Sequence, residues 1–407
     1  MDKSRRNFIK QGSLLSAGLS LGGFTAANAI NRKKPNETLV IGLIGCKGMG
    51  FSNLQNFVKF PDVRVKALCD VDKNVLENRA ADLEKLTGEK ATLHEDYRKL
   101  LDDKDIDVVI IGTPDHWHCL QTVDAVEAGK DVYCEKPLGN SIGECDIMVN
   151  AARKHNKIVQ VGQWQRSGPH WQQAIDYVRS GKLGNIRLAK AWAYMGWMKN
   201  IPKKPDQSAP AGVNYDLWLG PAEKRPFNPN RFHFNFRWYW DYAGGLMTDW
   251  GVHLIDMALY GMDAMAPKSV VSSGGMFAYP DSAMETPDTQ QAIYEFDDFS
   301  MIWEHAVGID GGPYGRNHGV AFIGNNGTLV VDRRGWEVIP EEDGGEYLVE
   351  PMPPRKGSGG DLEKHVANFL DCVKTRKLPN ADIAIAANTA KVAHLGNVAF
   401  LTGRKVY

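Results

Sequence analysis

The run Thr38–Ile44 (TLVIGLI) is continuously apolar and stops at Gly45, and this glycine-bounded run constrains the architecture more than any other feature of the chain. A seven-residue apolar run bounded by a glycine is too short for a core helix and reads as a strand buried on both faces. The pattern then repeats. Apolar runs at Val63–Leu68, Asp107–Ile111, Asp131–Cys134 and Ile158–Val161 alternate with helix-spaced segments at Asn53–Lys59, Asn74–Leu86, His118–Ala128 and Ile142–His155. Strands buried on both faces and separated by helices build a doubly wound parallel sheet. We place this α/β unit at residues 38–160.

From residue 161 the pattern changes. Trp171–Ser180 reads as a helix stopped by Gly181. Longer β-rich runs come next at Ile186–Tyr194, Ser269–Phe277, Gln290–Phe296, Ser300–His305, Val320–Gly324 and Thr328–Val331, with turn signals such as Asn325-Asn326-Gly327 between them. This predicts an α+β unit over 161–407, an open, mostly antiparallel sheet flanked by helices. Residues 199–235, rich in Pro and Asn, predict a long ordered loop, and the Pro/Gly-rich stretch 340–360 an exposed one. Asp361–Thr375 and Asp382–Leu401 read as closing helices. No internal repeat is visible.

The first 29 residues read as an export signal. Ser4-Arg5-Arg6-Asn7-Phe8-Ile9-Lys10 has the form of a twin-arginine motif, an apolar run extends from Ser13 to Ala27, and Ala27-Asn28-Ala29 offers a small-x-small cleavage site. The run is roughly 15 residues, short of the ~20 that span a bilayer, and Gly and Ser dilute it, so stable membrane insertion is not expected. The expected partner is the twin-arginine export machinery, and the expected location the periplasm. That route carries folded proteins. A dinucleotide with two phosphates does not cross a bilayer unaided, so a cofactor carried this way would be held tightly and regenerated in place.

Composition narrows the partners. Formal net charge is −1, and loss of a signal with four basic residues against Asp2 would take it to −4. Without a basic surplus, nucleic acid is not an expected partner. The six cysteines form no CxxC pair and sit mostly in apolar segments of the first unit, so they read as small buried hydrophobes. Eight of the eleven tryptophans lie between Trp164 and Trp250, which fits either a thick aromatic core or a carbohydrate site whose flat rings cover sugar C–H faces.

Three motifs carry chemistry. Gly45-Cys-Lys-Gly-Met-Gly50 lies between a strand and a helix, the context of a dinucleotide turn. Gly45 would make the turn, Gly50 would let the helix approach the sheet, and the pyrophosphate would rest on the helix N-terminus over Lys47, Gly48 and Met49. Lys47 stands where the usual second glycine belongs. Asp70, 20 residues past Gly50, would accept from the ribose hydroxyls and repel a 2′-phosphate, which favours NAD over NADP. Glu135-Lys136-Pro137 follows a strand at the edge where open parallel sheets bind ligands, and Lys136 there could polarise a hydroxyl or carbonyl. In Asp249-Trp-Gly-Val-His253-Leu-Ile-Asp256, helical spacing puts Asp249, His253 and Asp256 on one face, a carboxylate orienting an imidazole. No cysteine or second histidine completes a metal set, so no metal is expected.

Together these motifs, with Thr113-Pro114-x-His116-x-His118, resemble the Gfo/Idh/MocA family, the glucose–fructose oxidoreductase and inositol dehydrogenase group, in order and over essentially the whole chain past the signal. The resemblance implies an N-terminal Rossmann domain, a sheet domain that mediates oligomers (dimer or tetramer), bound NAD and a carbohydrate substrate. It also implies catalytic roles for Lys136, Asp249 and His253, and a nicotinamide end lined by Thr113, Pro114, His118, Glu135 and Gln163. Trp164, Arg166 and Trp240, with His253, are the expected substrate walls. The implied reaction moves hydride between a sugar carbinol carbon and the nicotinamide, with His253 taking the hydroxyl proton and Lys136 stabilising the oxygen. One alternative is an NAD-dependent glycosidase or lyase working by transient oxidation and elimination. The family's glycosidase branch lacks the Glu-Lys-Pro lysine, so Lys136 argues for net redox. The other alternative is a non-catalytic sugar-binding protein, against which the intact Lys136, Asp249 and His253 set argues.

Overall fold

The computed structural model describes residues 38–407. The expected export signal at 1–29 lies outside them. β1 (Leu39–Ile44), α1 (Met49–Phe57), β2 (Val63–Cys69), α2 (Lys73–Thr87), β3 (Thr92–His94), α3 (Tyr97–Leu101), β4 (Val108–Ile111), α4 (Asp115–Glu127), β5 (Asp131–Cys134), α5 (Ile142–Lys154) and β6 (Val159–Val161) form the first unit. Its six strands are all parallel in the order β3-β2-β1-β4-β5-β6. Strand order reverses between β1 and β4, and the crevice at their C-terminal ends is where such a sheet binds its ligand. Side chains define the helix ends: Asp72 accepts from Asn74 N and Val75 N to start α2, and Gly88 at φ 77° ends it. β3 and α3, of three and five residues, carry no periodic signal long enough to read from sequence.

The second unit begins with α6 (Pro169–Arg179) and β7 (Ile186–Met195), then α7 (Tyr215–Leu219), α8 (Gly245–Asp249), α9 (Gly251–Met262), β8 (Ser269–Gly275), β9 (Thr289–Glu295), β10 (Ser300–Val307), β11 (His318–Gly324), β12 (Gly327–Asp332) and β13 (Gly335–Pro340). After the two-residue strands β14 (Glu342–Asp343) and β15 (Glu346–Tyr347) come β16 (Met352–Lys356), α10 (Asp361–Thr375) and α11 (Ile383–Thr402). Eight strands make one sheet, β16-β13-β12-β11-β7-β10-β9-β8. It is antiparallel except where β7 and β10 run parallel at its centre. β9 alternates buried and exposed residues, as expected of a sheet covered on one face only. Residues 340–360 are mostly exposed, as expected, but their end is edge strand β16, where the two prolines of MPPRK are tolerated because an edge leaves part of the ladder unpaired.

The two closing helices, grouped in sequence with the second unit, bury apolar faces in the core of the first. Val366, Phe369 and Leu370 of α10 pack with Phe57 and Tyr133, the Phe369 ring 5.8 Å from Tyr133. Ile383, Ala386, Ala387 and Ala390 of α11 join Val132, Cys145 and Met148. Further along the same helix, Val392, Ala393 and Ala399 belong to the core of the second sheet. α11 therefore ties the two units together beside the crevice.

Candidate active site

Three glycines interlock where the strand order reverses. A Cβ on Gly50 would lie 1.9 Å from the Gly45 carbonyl oxygen, and one on Gly112 would lie 2.4 Å from the Gly50 Cα. α1 can therefore seat against the ends of β1 and β4 only without side chains there. Gly45 (φ 84°) turns the chain. Gly48, at φ 52°, precedes the first turn of α1, and a Cβ there would meet nothing within 4 Å. Bare backbone thus faces open space at a helix N-terminus that has no acidic residue in its first turn, which fits a pyrophosphate. Lys47 is exposed and lines the cavity beside this turn, a positive charge at the place where a pyrophosphate would rest. Asp70 accepts from Cys46 N (2.8 Å) and Asp72 N (2.9 Å), which fixes the carboxylate beside the turn. Burial raises its pKa to about 6, with those two N–H groups opposing.

These groups line a cavity of about 660 Å³ that runs from the glycine turn to the second unit. At its far end Lys136 Nζ lies 2.5 Å from Asp249 Oδ1 and donates to the Asp249 carbonyl at 3.0 Å. Arg237 holds the other carboxylate oxygen at 2.5 Å. Burial alone would raise the Asp249 pKa, but the Arg237 and Lys136 cations outweigh it and hold the carboxyl well below the usual range. His253 shares the cavity, its ring 5.9 Å from that of Trp164. Burial first, then Lys136 and Arg333, push its pKa well below the ordinary imidazole value, so the ring is neutral. Glu135 lies behind Lys136, accepting from Asn53 Nδ2 at 2.8 Å and from Lys136 N at 3.2 Å, and burial raises its pKa.

Several expectations need correction. The expected single helix through Asp249 and His253 is two, α8 and α9, divided at Trp250. Asp249 and His253 still line one cavity, but the carboxylate serves Lys136 and Arg237 and makes no hydrogen bond to the imidazole. His253 Nδ1 is buried without a hydrogen-bond partner among the described residues. Asp256 turns away to accept from Arg166 Nε (2.7 Å) and Thr389 (2.9 Å). Arg166 is thereby a buried structural cation stacked on Tyr260, and it does not line the cavity. Trp240 also lies off the cavity, donating from Nε1 to the Glu285 carbonyl at 3.1 Å. Gln163 is buried behind the wall. His118 is fully buried, its ring nitrogens 2.7 Å from the Pro137 carbonyl and 2.9 Å from that of Thr113. It braces two cavity loops and does not face the cavity itself. Thr113, Pro114 and Trp164 do line it.

Other groups at the site carry no sequence signal. Arg237 and Arg333 come from a 3₁₀ turn and a hairpin, where no pattern marks a lone arginine. Asp115 opens α4, and burial, with a smaller push from Asp249, lifts its pKa to about 8. Trp117, Trp197, Trp218 and Trp250 add to the aromatic lining, while Trp171, Trp192, Trp238 and Trp303 are core, so the tryptophans divide between the cavity wall and the core. The loop 199–235 crosses over the ribose end. Lys73 N donates to Gly212 O (2.9 Å), Asn214 N to Val71 O (2.8 Å), and His233 Nε2 meets Asp72 Oδ2 at 2.9 Å. The six cysteines are free, five of them buried. Among the described residues no cluster of His, Cys, Asp or Glu is placed to hold a metal, and no helix is long and apolar enough to cross a membrane.

A doubly wound sheet with a glycine cradle, a carboxylate at the end of the second strand and a lysine–carboxylate pair at its C-terminal edge defines a dinucleotide-binding protein of the Rossmann class. The chain belongs to the Gfo/Idh/MocA oxidoreductase family: residues 39–163 match its NAD-binding Rossmann fold and residues 187–407 its C-terminal alpha/beta domain. A glycosyl hydrolase family 109 protein of Shewanella putrefaciens is 31% identical over 223 residues, 49% of this chain and 48% of that protein. The chain thus spans about half the length of that curated relative. Levoglucosan dehydrogenase, solved with NADH and levoglucosan, shares the fold at a TM-score of 0.68 and 20% identity, covering 91% of this chain and 99% of that one. The myo-inositol 2-dehydrogenase of Lactobacillus plantarum does so at 0.68 and 21%, with the same coverage.

Proposed function

We propose that the protein transfers hydride from a hydroxyl-bearing carbon of a sugar, glycoside or polyol to a tightly bound NAD, and that a carbonyl acceptor such as a second sugar reoxidises the NADH so formed in place by taking up the hydride. The observation that carries this reading is the Lys136–Asp249–Arg237 cluster with neutral His253 beside it, at the sheet edge where a nicotinamide belongs. A bound nicotinamide supplies the hydride acceptor. The protein supplies the rest. The neutral His253 imidazole accepts the hydroxyl proton, and Lys136 donates to the same oxygen as charge develops on it. Asp249, ionised between two cations, keeps Lys136 aimed. Gly45, Gly48, Met49 and Gly50 would hold the pyrophosphate and Asp70 the ribose, with the 199–235 loop fastened over that end. Trp164, Trp197 and Trp250 offer flat faces to sugar C–H groups. Levoglucosan and inositol, bound or oxidised by the structural relatives, are polyhydroxylated rings, which supports a sugar here.

The family 109 relative supports a second reading, transient oxidation followed by elimination of the aglycone. One experiment separates these. The purified protein is denatured for mass spectrometry of any dinucleotide, and the native protein is mixed with methyl and nitrophenyl glycosides. NAD released on denaturation and absorbance rising at 340 nm without free nitrophenol supports net redox. Nitrophenol release with no net reduction supports the second reading, and no spectral change with any sugar leaves a sugar-binding protein.

Residues 1–29 further suggest periplasmic export by the twin-arginine machinery, and the family resemblance a homo-oligomer, dimer or tetramer. Lysine at both Arg5 and Arg6 should strand the protein in the cytoplasm. Full processing and export of that variant would refute the export reading.

A further inference from the structure

Arg333 is a cation in the cavity with no anion of its own. It sits in the two-residue turn between β12 and β13, its guanidinium carbon 4.5 Å from the Trp164 ring centroid and 4.4 Å from that of Trp250. Its Nε is buried without a hydrogen-bond partner, and the side chain makes no ion pair with any described residue. The turn beneath it is built to stay put. The fully buried Asp332 carboxylate accepts from Arg334 N (2.8 Å) and Gly335 N (3.1 Å) and pairs with Arg316 at 3.0 Å. Two indoles therefore flank the guanidinium on a rigid hairpin in the cavity wall.

The charges around it do not balance. At this end the cavity is lined by Lys136, Arg237 and Arg333 against the ionised Asp249. Asp115, with a pKa of about 8, is mostly protonated at neutral pH, and Glu135 is pushed in the same direction. Asp361 lies near enough to feel Arg333 but is set beside His170, 3.9 Å away. A neutral sugar would leave a desolvated guanidinium unanswered. A carboxylate matches it, because a planar guanidinium binds that group through paired, charge-assisted hydrogen bonds.

We propose that Arg333 sets substrate class, and that the sugar bound beside His253 carries a carboxylate, as a uronic acid or its glycoside does. This deepens the reading of the cavity as a sugar site and rests on it. The test uses the whole protein with its bound cofactor and paired probes: methyl glucoside and methyl glucuronide, and the corresponding galacto pair. Binding is read by quenching of tryptophan fluorescence, and oxidation by absorbance at 340 nm. At least one uronide should bind about tenfold or more tighter than its neutral partner. Arg333→Met should abolish that difference, and Arg333→Lys should keep part of it. A neutral glycoside that binds as tightly as its uronide in both pairs overturns the proposal, as does an Arg333→Met variant that weakens both members equally. So does a protein that binds none of the four. Because the wild-type comparison stands alone, misfolding of a variant does not rescue the idea. Arg333-dependent uronide binding without any reduction of NAD would keep this proposal and sink the oxidoreductase reading. Oxidation confined to neutral glycosides would do the reverse.

Discussion

Lys136 and Asp249 lie 113 positions apart in the chain, yet their 2.5 Å contact organises the site. Losing one transition-state donor typically costs ~3–4 kcal/mol, roughly 100- to 1000-fold in rate. Lys136→Met and His253→Asn should each slow single-turnover hydride transfer at least about 100-fold while NAD is retained, with a lowered melting temperature only for Lys136→Met, which leaves buried Asp249 with Arg237 alone. The double variant should be little worse than either, since both residues act on one hydroxyl. Near-normal rates in both single variants would dismiss the assignment. Asp115 permits a different test. Burial raises its folded pKa to about 8, whereas the unfolded chain loses that proton near the ordinary aspartate value of 3.8. The folded state holds the extra proton between those values, so stability falls as pH rises through that window and levels off above it. Asp115→Asn removes the fall. Its melting temperature should match the wild type near pH ~3.5 and exceed it by ~2 °C or more at pH ~8. A difference independent of pH would mean that the carboxyl ionises freely.

At the scale of elements, the 199–235 loop is the least expected part of the site. Sequence composition shows an ordered loop. Only the structure shows that it fastens to Val71–Lys73, next to the ribose-side Asp70. A hydrogen bond to a charged group contributes roughly 1.5–3 kcal/mol, so His233→Ala should speed loss of bound NAD by ~10-fold or more while leaving the fold intact. Trapping released NAD with an excess of a second dehydrogenase would measure this, and an unchanged release rate would show that the loop does not retain the cofactor. The break at Trp250 is a second feature of this scale. A helical reading of Asp249 to Asp256 gives a carboxylate supporting an imidazole, whereas the divided helices separate the two, Asp249 holding Lys136 and His253 left as a neutral imidazole.

For the whole molecule, the chain finishes the first unit last. α10 and α11 supply apolar faces to a sheet whose strands ended about two hundred residues earlier. Deleting residues 361–407 would bare the surfaces of Phe57, Tyr133, Val132 and Met148. The truncated protein should therefore be insoluble and retain no NAD. Recovery of a soluble, NAD-binding fragment 1–360 would show that the first unit folds without the closing helices.

Periodicity, glycine placement and a few charged residues beside strand ends determined the doubly wound sheet, the dinucleotide turn, Asp70 and Lys136, because each is a local consequence of its own neighbours in the chain. Gly50 was legible for the same reason: packed against the Gly45 carbonyl, it has no room for a Cβ. Tertiary structure alone decided which charges meet. Arg166 and Trp240 looked like walls of the site and are held elsewhere by Asp256 and Glu285, while Arg237 and Arg333, silent in sequence, arrive from a turn and a hairpin far along the chain. A side chain's electrostatic partner is set by long-range packing, and spacing in sequence cannot encode it.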